Sequence, residues 1–557
     1  MPTLAFLATG TDEAFAVILL REEADGKQLA PPITVSRQDF AATVQRLEDR
    51  YGPRWVISRT ANWMSALLEA DVHLAKAHVL DLAQRILHRS PFVSQRLPDV
   101  ELDERAARPA QPGQDTLFAE PSQGEDLPGL EARYLQQRQA LPIDAQQRHR
   151  LQLLLRAESI GAVIAAEMEH AGLAWDANAH RALLREQLGA RVPEGMREPK
   201  LAELATELGQ ALHSPGLNPD SPQELLRALQ RAGYPVGSVR AWELEQHRDP
   251  VINLVLHYKH LSRLASTHGD AWLDQWVRDA RFHPHYVLGT VASGRWAATG
   301  GGALQLPHDI RQVITAPAGR VFVVADGRQL EPRILAAISG DTALQQAGQD
   351  ADLYQAFVDT GVAASRADAK LGMLSAIYGG SSAMAAGVVS ALERNFPRAM
   401  EYVSQAARAG EQGQGVHSWL GRGCPPASEE WVNAQRHTAD AAAHTADAAA
   451  QAAADAAARS RGRFTRNFVV QSTAAEWALV WMAHTRHLIY SAGLHTRCRQ
   501  VFFVHDELVF ETEEALAEGL SHAIRQGARQ AGQTLFGQHS PDFPVSVATV
   551  KSYADAK

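Results

Sequence analysis

The hydrophobic pattern of the chain changes period at Asp326. Residues 321–325 are β-branched, aromatic or small and predict a buried strand. Beyond them apolar residues recur with the spacing of an amphipathic helix, at Leu330, Ile334, Leu335 and Ile338. Asp326 therefore lies where a strand ends and a helix begins. Such a carboxylate can bind a metal ion, and it can equally be the N-cap of the helix.

A second pattern surrounds Asp506. Residues 500–511 contain two apolar halves separated by His505, Asp506 and Glu507, which predicts a β-hairpin with Asp506 at its tip. Two carboxylates on neighbouring strands, Asp326 and Asp506, can bind two Mg²⁺ ions about 4 Å apart, an arrangement used for in-line phosphoryl displacement.

A third stretch predicts a cationic helix. Ser365 and Asp368 form an S-x-x-D helix start, and Gly379 ends the helix. Four residues at spacings of four share one face: Arg366, Lys370, Leu374 and Tyr378. The two cations suit a triphosphate and the aromatic ring suits a base. The alternative is a solvated basic face with Tyr378 in the core.

Taken in chain order, the stretches at Asp326, Arg366 and Asp506 resemble motifs A, B and C of the family A DNA polymerases. Residues 326–333 resemble D-Y-S-Q-I-E-L-R, residues 366–379 resemble R-x3-K-x7-Y-G, and residues 504–507 match V-H-D-E. The resemblance implies an α/β multidomain, right-hand polymerase with thumb, palm and fingers. Implied partners are template-primer DNA and deoxynucleoside triphosphates, and implied cofactors are two Mg²⁺ ions, with Mn²⁺ as a substitute.

The resemblance also implies roles for individual residues. Those expected to act in catalysis are Asp326, Asp506, Lys370, Arg366 and Glu507. Those expected to bind metal are Asp326, Gly327 (through its carbonyl) and Asp506. Those expected to bind nucleotide are Gln329, Glu331, Arg366, Lys370, Leu374 and Tyr378. Leu374 departs from the family, which has Phe or Tyr there, and Gly372 is expected to loosen the same helix.

Further resemblances imply contacts with DNA. Residues 217–222 and 264–267 resemble the family's thumb, residues 290–296 resemble T-x-T-G-R, and residues 463–476 resemble R-x3-N-x-P-x-Q-G-T-A-A-D with Ser472 and Glu476 as conservative replacements. The expected DNA-binding residues are Arg263, Ser266, Thr267, Arg295, Arg463, Asn467, Gln471 and His505. Phosphate and sugar contacts of this kind position a duplex without selecting its sequence.

The remaining segments predict the domain order. Residues 1–98 predict a small α/β unit, with strands at 3–8, 14–20 and 55–58 and helices at 40–50 and 79–88. Such a position in the family often holds a ribonuclease H-like 3′–5′ exonuclease. Because no D-x-E lies on the first strand, we expect a vestigial, inactive domain. The expected order continues with a linker (99–129), thumb (130–281), palm (282–350), fingers (351–467) containing an Ala-rich insertion (431–459), and palm (468–557).

Composition adds limits. The 557 residues are 45% hydrophobic and 21% charged, ordinary values for a globular chain. The two cysteines form no C-x-x-C pair, which suits a reducing cytoplasm. We expect no membrane span, no signal peptide and no preceding 5′-nuclease domain, and we expect a monomer. The net charge of −9 is unusual for a DNA-binding protein, although arginines cluster locally at Arg459, Arg461, Arg463 and Arg466.

Several alternatives to a replication or repair polymerase without proofreading stay open. One is a single-subunit RNA polymerase, and others are a catalytically weak or inactive DNA-binding scaffold and a bifunctional exonuclease-polymerase. The Ala-rich repeat also has two interpretations. His437 and His444 can bind a metal ion, or the repeat is a solvated helical extension of the fingers.

Overall fold

The computed structural model describes residues 2–10, 15–100, 125–193, 195–299, 304, 306–349, 352–380, 383–441, 448–537 and 540–556. Contacts within the chain divide it into two units. The first contains Met1–Ala171, His285–Ala297 and Val323–Thr549, and the second contains Gly172–Pro284, Ala298–Phe322 and Val550–Lys557.

The first unit begins with a five-stranded sheet. Its strands β1 to β5 are Thr3–Thr9, Ala16–Glu22, Ile33–Val35, Arg54–Ile57 and Lys76–Val79. Their spatial order is β3-β2-β1-β4-β5, with β1, β4 and β5 parallel and β2 antiparallel to both of its neighbours. Helices α1 to α3 are Phe40–Tyr51, Met64–Leu68 and Leu80–Arg89. The predicted strands and helices are confirmed to within a few residues, whereas the short strands β3 and β5 were missed.

Two helices follow in the same unit, α4 (Leu127–Gln139) and α5 (Ala145–Ala171). The predicted linker at 99–129 extends too far, because α4 begins at Leu127, where the Asp126 side chain accepts a hydrogen bond from the Gly129 N–H. Residues 101–124 lie outside the described residues. Both helices fall within the predicted thumb, yet they belong to the first unit, and Leu130 and Tyr134 of α4 join the core beside β1.

The second unit is mostly helical. Its helices α6 to α12 are Ala177–Leu188, Pro199–Ala211, Pro222–Arg231, Ala241–Leu244, Pro250–His268, Asp270–Trp276 and His308–Arg311. Three two-residue strands, β6 (Leu173–Ala174), β7 (Val277–Arg278) and β8 (Arg281–Phe282), pair in the order β6-β8-β7. Helix α8 begins after Ser221, whose side chain accepts a hydrogen bond from the Glu224 N–H. Strands β9 (His285–Val287) and β10 (Ala297–Thr299) follow.

The rest of the chain builds a four-stranded sheet with long helices. Strands β11 (Arg320–Gly327), β12 (Cys498–Val504), β13 (Glu507–Glu513) and β14 (Val545–Val550) have the order β12-β13-β11-β14. Helices α13 to α18 are Leu330–Ser339, Thr342–Ala347, Leu353–Asp359, Arg366–Tyr378, Ala383–Asn395 and Pro397–Glu411. Helices α19 to α21 are Glu429–Ala441, Ala448–Ser491 and Ala517–Phe536. None of the described helices has both the length and the apolar character needed to cross a membrane.

The Ala-rich segment is helical on both sides of residues 442–447, which lie outside the described residues. Helix α19 contacts the start of α20, where the Gln435 side chain donates a hydrogen bond of 2.8 Å to the Ala454 carbonyl. The side chains of His437 and His444, considered above as metal ligands, lie outside the described part of the chain. The predicted helical extension is confirmed where residues are described.

Helix α20 has a buried charged cluster near its middle. The Arg422 guanidinium donates to the Glu158 carboxylate at 2.8 Å, and Glu476 of α20 accepts hydrogen bonds from the Ser418 hydroxyl and the Leu420 N–H. Burial raises the pKa of Glu476 to about 7, because the positive charge of Arg422 only partly offsets the loss of water. Glu476 was expected from the sequence to be a conservative replacement of Asp. It is a buried acid, and it shares the charge of Arg422 with Glu158.

This cluster predicts a stability that depends on pH. A buried acid whose pKa is raised stabilises the fold below its unfolded value of 4.5 and loses that contribution as pH rises through about 7. We expect the free energy of unfolding to fall by about 1–3 kcal/mol between pH 4.5 and 8. Glu476→Gln should flatten this decline, measured by urea denaturation across that range. An equally steep decline in the variant would contradict the assignment.

Candidate active site

Asp326 and Asp506 meet at one edge of the four-stranded sheet. Asp326 lies at the end of β11, and the next residue, Gly327, donates a backbone hydrogen bond of 3.0 Å to the Asp506 carbonyl. His505 and Asp506 form the two-residue turn between β12 and β13, where Val504 pairs with Glu507. His505 has a φ of 56°, as such tight turns require. The predicted hairpin is therefore confirmed, and β13 lies directly beside β11.

Asp326 is not the N-cap of the following helix. The N-cap of α13 is Gln329, which has a φ of 50° and makes no side-chain capping bond. Asp326 is partly exposed, whereas its neighbours Ala325 and Gly327 are buried. This geometry leaves the carboxylate of Asp326 at the end of the strand, and it removes the capping alternative.

The two carboxylates influence each other electrostatically. The pKa of Asp506 is raised to about 7. The main cause is burial, followed by the negative charge of Asp326 and then that of Glu331, while Arg295 opposes the rise. Oxygen ligands with uncompensated negative charge fit a hard divalent cation. Mg²⁺ commonly binds to one or two carboxylates and completes its shell with water and substrate phosphates. Among the described side chains, no group of three or more His, Cys, Asp and Glu residues is arranged to hold a metal.

Glu331 links three elements next to this edge. Its carboxylate, only 13% exposed, accepts hydrogen bonds from Arg295 at 2.6 Å and from the Tyr378 hydroxyl. Burial, together with this bond to Glu331, raises the pKa of Tyr378 to about 12. Glu331 on α13 is thereby fixed between the segment after β9 and the last turn of α16.

A second chain of contacts positions Arg366. The Gln329 side chain donates to Asp352 at 2.6 Å and accepts from the Leu353 N–H at 2.9 Å. Arg366 donates to the other Asp352 oxygen at 2.8 Å, and its guanidinium lies over the ring of Tyr354. Arg366 remains about half exposed. Asp352, absent from the predicted site, organises this chain, and one sequence signal for it is its position as a helix-capping Asp before α15.

Helix α16 has the predicted start, end and exposed face. Ser365 accepts a hydrogen bond from the Asp368 N–H at 3.1 Å, and Gly379 ends the helix with a φ of 70°. The predicted face is solvent-accessible, with Arg366 and Lys370 exposed and Leu374 and Tyr378 partly exposed.

Gly372 has a packing role that the sequence did not indicate. A side-chain carbon at this buried position would lie 2.3 Å from the Val388 Cγ1 atom of α17. Gly372 therefore allows α16 and α17 to pack closely, and the expectation that it loosens the helix stays a prediction. The two helices are consecutive in the sequence, and they can pack this closely only because residue 372 has no side chain.

Helix α20 adds a polar stripe beside α16. Arg463 is exposed, and Asn467 and Gln471 are partly exposed, as their spacing predicts. Gln471 hydrogen-bonds to Tyr378, and Arg466 donates to the Ala376 carbonyl at 2.6 Å. The C-terminal end of α16 is thus attached to α20.

Two predicted residues differ sharply in burial. Glu507, expected to be catalytic, is only 3% exposed as the first residue of β13, whereas His505 is exposed. A direct catalytic role for Glu507 stays a prediction, since this burial is what a structural acid would also have.

The predicted thumb residues lie on the last turns of α10. The hydroxyls of Ser266 and Thr267 donate to the Arg263 carbonyl at 3.2 and 2.7 Å. Arg263 and Ser266 are exposed, Thr267 is partly exposed, and Leu264 between them is buried. The structure brings these three residues together on one accessible surface of the second unit.

One important residue was missed. Arg333 is fully buried and donates to the carbonyls of Gly348 and Asp542 and to the Gln329 side chain. A buried cation costs little when its donors are satisfied in this way. The signal in the sequence is an arginine within the otherwise apolar helix α13. Arg333 supports Gln329 and therefore the whole Asp352–Arg366 chain.

Comparison with known proteins gives the same picture. The family model of DNA polymerase family A matches residues 198–550. Similar curated proteins are DNA polymerase I of Chloroflexus aurantiacus (28% identical, covering 54% of this chain and 32% of the relative), of Pseudomonas aeruginosa (27%, 51% and 31%) and of Thermus aquaticus (24%, 53% and 36%). The chain thus aligns with only about a third of the length of these relatives.

A solved structure has the same fold. It is the polymerase domain of Pol1 from M. smegmatis in complex with DNA primer-template and dNTP, with a TM-score of 0.68 and 20% identity. The match covers 99% of this chain and 96% of that chain. The predicted right-hand polymerase fold is confirmed, while the exonuclease-like identity of the N-terminal sheet stays a prediction.

The packing of α16 predicts opposite effects for two glycines. Gly372→Ala should destabilise the protein by about 1–3 kcal/mol, because the new methyl group overlaps Val388. Gly387→Ala on α17 is the matched control: nothing lies within 4 Å of the added carbon, and alanine favours the helix by about 1 kcal/mol. Thermal denaturation of both variants tests this. Similar melting temperatures for the two would contradict the close packing.

Proposed function

Because the chain belongs to DNA polymerase family A, we propose that it extends a DNA primer on a template, using deoxynucleoside triphosphates. The observation that carries this proposal is the convergence of Asp326, Asp506 and Glu331 beside a helix that exposes Arg366 and Lys370. A replication or repair role follows from the same activity.

In this proposal two Mg²⁺ ions bind to Asp326 and Asp506, with the Gly327 carbonyl as a further ligand. When bound, the metal supplies charge neutralisation at the reacting phosphate and activation of the primer 3′-hydroxyl. The raised pKa of Asp506 fits this assignment, since its causes are burial and then the negative charge of the nearby Asp326. Mn²⁺ is an equivalent hard cation in such an oxygen site.

The exposed face of α16 binds the nucleotide. Arg366 and Lys370 contact the β- and γ-phosphates, and Lys370 donates a proton to the departing pyrophosphate. The ion pair with Asp352 holds Arg366 in an orientation that a triphosphate can take over. Leu374 and Tyr378 lie further along the helix and contact the sugar and base. Leucine offers less contact there than an aromatic ring.

The template-primer contacts form a second set. They are made by Arg263, Ser266 and Thr267 in the second unit and by Arg295, Arg463, Asn467, Gln471 and His505 in the first. These residues are exposed or partly exposed. Contacts from such side chains to the phosphates and sugars of DNA recognise the shape of the duplex and do not read its bases. The surface needs only a local positive groove, so the net charge of −9 does not oppose it.

We propose that the N-terminal sheet has no proofreading activity. The described part of β1 has no carboxylate, and Asp81, the acid that begins the nearby helix α3, is bound by Arg59 and by Arg133 at 2.7 Å. An acid neutralised by two arginines is poorly suited to metal binding. We also propose a monomer, and a cytoplasmic location, which fits the fact that the buried Cys424 and Cys498 form no disulfide.

The polymerase proposal is tested by primer extension. Asp326→Asn and Asp506→Asn should each lower the rate of nucleotide incorporation at least about a thousandfold, since each removes a charge at the reacting phosphate. Binding to a gapped duplex should change little. Asp359→Asn, at the end of α15, serves as a control that should extend normally. Near-native extension by either site variant would favour a different metal site, and no extension by the unmodified chain would favour the DNA-binding scaffold.

The absence of proofreading is tested on a 3′-labelled single strand. With Mg²⁺ or Mn²⁺ and no nucleotides, the strand should keep its length, because β1 has no carboxylate and Asp81 is neutralised by Arg59 and Arg133. Shortening that persists in Asp326→Asn would identify a second nuclease site and support the bifunctional alternative.

Sugar selection depends on Glu331. Because its carboxylate is held rigidly by Arg295 and Tyr378, we expect it to crowd the 2′ position of the nucleotide. Glu331→Ala should increase ribonucleotide relative to deoxynucleotide incorporation at least about tenfold. Tyr378→Phe, which removes only one of the two donors, should have a smaller effect. An unchanged ratio in Glu331→Ala would mean that Glu331 serves only to anchor Arg295.

A further inference from the structure

A cleft in the first unit is lined by arginines that lack ionic partners. It lies between the N-terminal sheet and helices α4 and α5, far along the chain from both catalytic aspartates, and encloses about 70 Å³. Arg54 of β4, Arg138 of α4 and Arg156 of α5 line it, and Glu23 is the one carboxylate among its lining residues.

Several other arginines in the same part of the molecule are paired with carboxylates. Arg21 binds Glu131, Arg59 and Arg133 bind Asp81, and Arg486 binds Glu167. Within the described residues, none of the three cleft arginines has a carboxylate within ion-pair distance. Arg54 donates to the Ala77 carbonyl at 3.5 Å, and Arg138 donates to the Glu23 carbonyl at 3.0 Å.

These charges act on one another across the cleft. Burial and the charge of Arg156 lower the pKa of Arg54, and Glu23 only partly opposes this. The same two arginines, after burial, lower the pKa of the buried His78 on the cleft wall to about 4. The His78 ring is therefore neutral at pH 7, and it hydrogen-bonds to the Gln137 side chain at 2.9 Å. The interior of the cleft thus has a positive potential that Glu23 offsets only in part.

We propose that this cleft binds a phosphate dianion, either free orthophosphate or the terminal phosphate of a 5′-phosphorylated nucleotide or strand. Three arginines against one glutamate leave two positive charges at pH 7. A phosphate monoester carries about −1.5 to −2 charges at this pH, whereas an internal phosphodiester carries only one. Guanidinium groups match the tetrahedral oxygens of phosphate in geometry as well as in charge.

The size of the cleft limits what enters it. A volume of about 70 Å³ is several times the roughly 10–15 Å³ that one water molecule needs, so a small oxyanion fits. A nucleoside attached to the phosphate would have to remain outside, where the exposed Arg156 and Arg138 border the opening. The site is therefore a receptor for a phosphate group and leaves the rest of the ligand unspecified.

Isothermal titration calorimetry of the full chain tests this site. At pH 7.5 and fixed ionic strength, the ligands are orthophosphate, deoxyadenosine 5′-monophosphate, and a short single strand with and without a 5′-phosphate. Arg156→Gln, on an exposed helix face, and Arg54→Gln should each weaken phosphate binding at least about tenfold. Arg227→Gln, an exposed arginine of α8 in the second unit, should leave it unchanged.

Stronger binding of the 5′-phosphorylated strand than of its unphosphorylated counterpart, lost in Arg156→Gln, would support the proposal and identify the strand end as the ligand. Stronger binding of orthophosphate would support it with the free ion as ligand. Equal binding to Arg156→Gln and the unmodified chain would overturn it, as would no heat with any ligand. Because Arg54 is partly buried, the melting temperature of Arg54→Gln without ligand is measured in parallel. Asp506→Asn should bind phosphate normally, which separates this site from polymerase activity.

Discussion

The structure depends on holding two carboxylates together against their mutual repulsion. Asp326 and Asp506 come from strands that are distant in sequence and adjacent in the sheet, and a backbone hydrogen bond from Gly327 to Asp506 joins the two strand ends. The scaffold that enforces this contact is buried and apolar, with Val323, Val324, Phe502 and Val509 at 3% exposure or less. Burial, and then the negative charge of Asp326, raises the pKa of Asp506. Such a pair of carboxylates is suited to bind cations.

The residues around this pair are arranged in two hydrogen-bonded groups. Glu331 joins Arg295 to Tyr378, and Asp352 joins Gln329 to Arg366. Both groups connect α13 to α16, so a shift of α16 would disturb both. Fingers closure over a nucleotide is the motion that such a connection would couple to catalysis. The ion pair of Arg366 is half exposed and therefore weak, which suits a contact that must exchange its partner for a phosphate.

Much of this site could be predicted from the sequence because its chemistry lies in local patterns. The change from strand to helix period at Asp326, the polar tip between two apolar strands at Asp506, and the four-residue spacing from Arg366 to Tyr378 all depend on neighbouring residues. The contacts that position these residues depend instead on residues that are distant in the sequence or lie on another helix. Arg333 reaches the carbonyl of Asp542, 209 residues away, and Gly372 is required by Val388 on a different helix. The assignment of α4 to the first unit depends likewise on long-range contacts, since Leu130 and Tyr134 pack against β1, and no local pattern contains these contacts.

The central claim is that Asp326 and Asp506 together bind the catalytic cations. The most direct measurement is a crystal structure of the chain with a template, a dideoxy-terminated primer, the next nucleotide and Mn²⁺, with anomalous diffraction at the manganese edge. The account predicts two manganese peaks between the two carboxylates and the triphosphate, reduced to one or none in Asp506→Asn. Manganese bound elsewhere, while the nucleotide is ordered on α16, would contradict it.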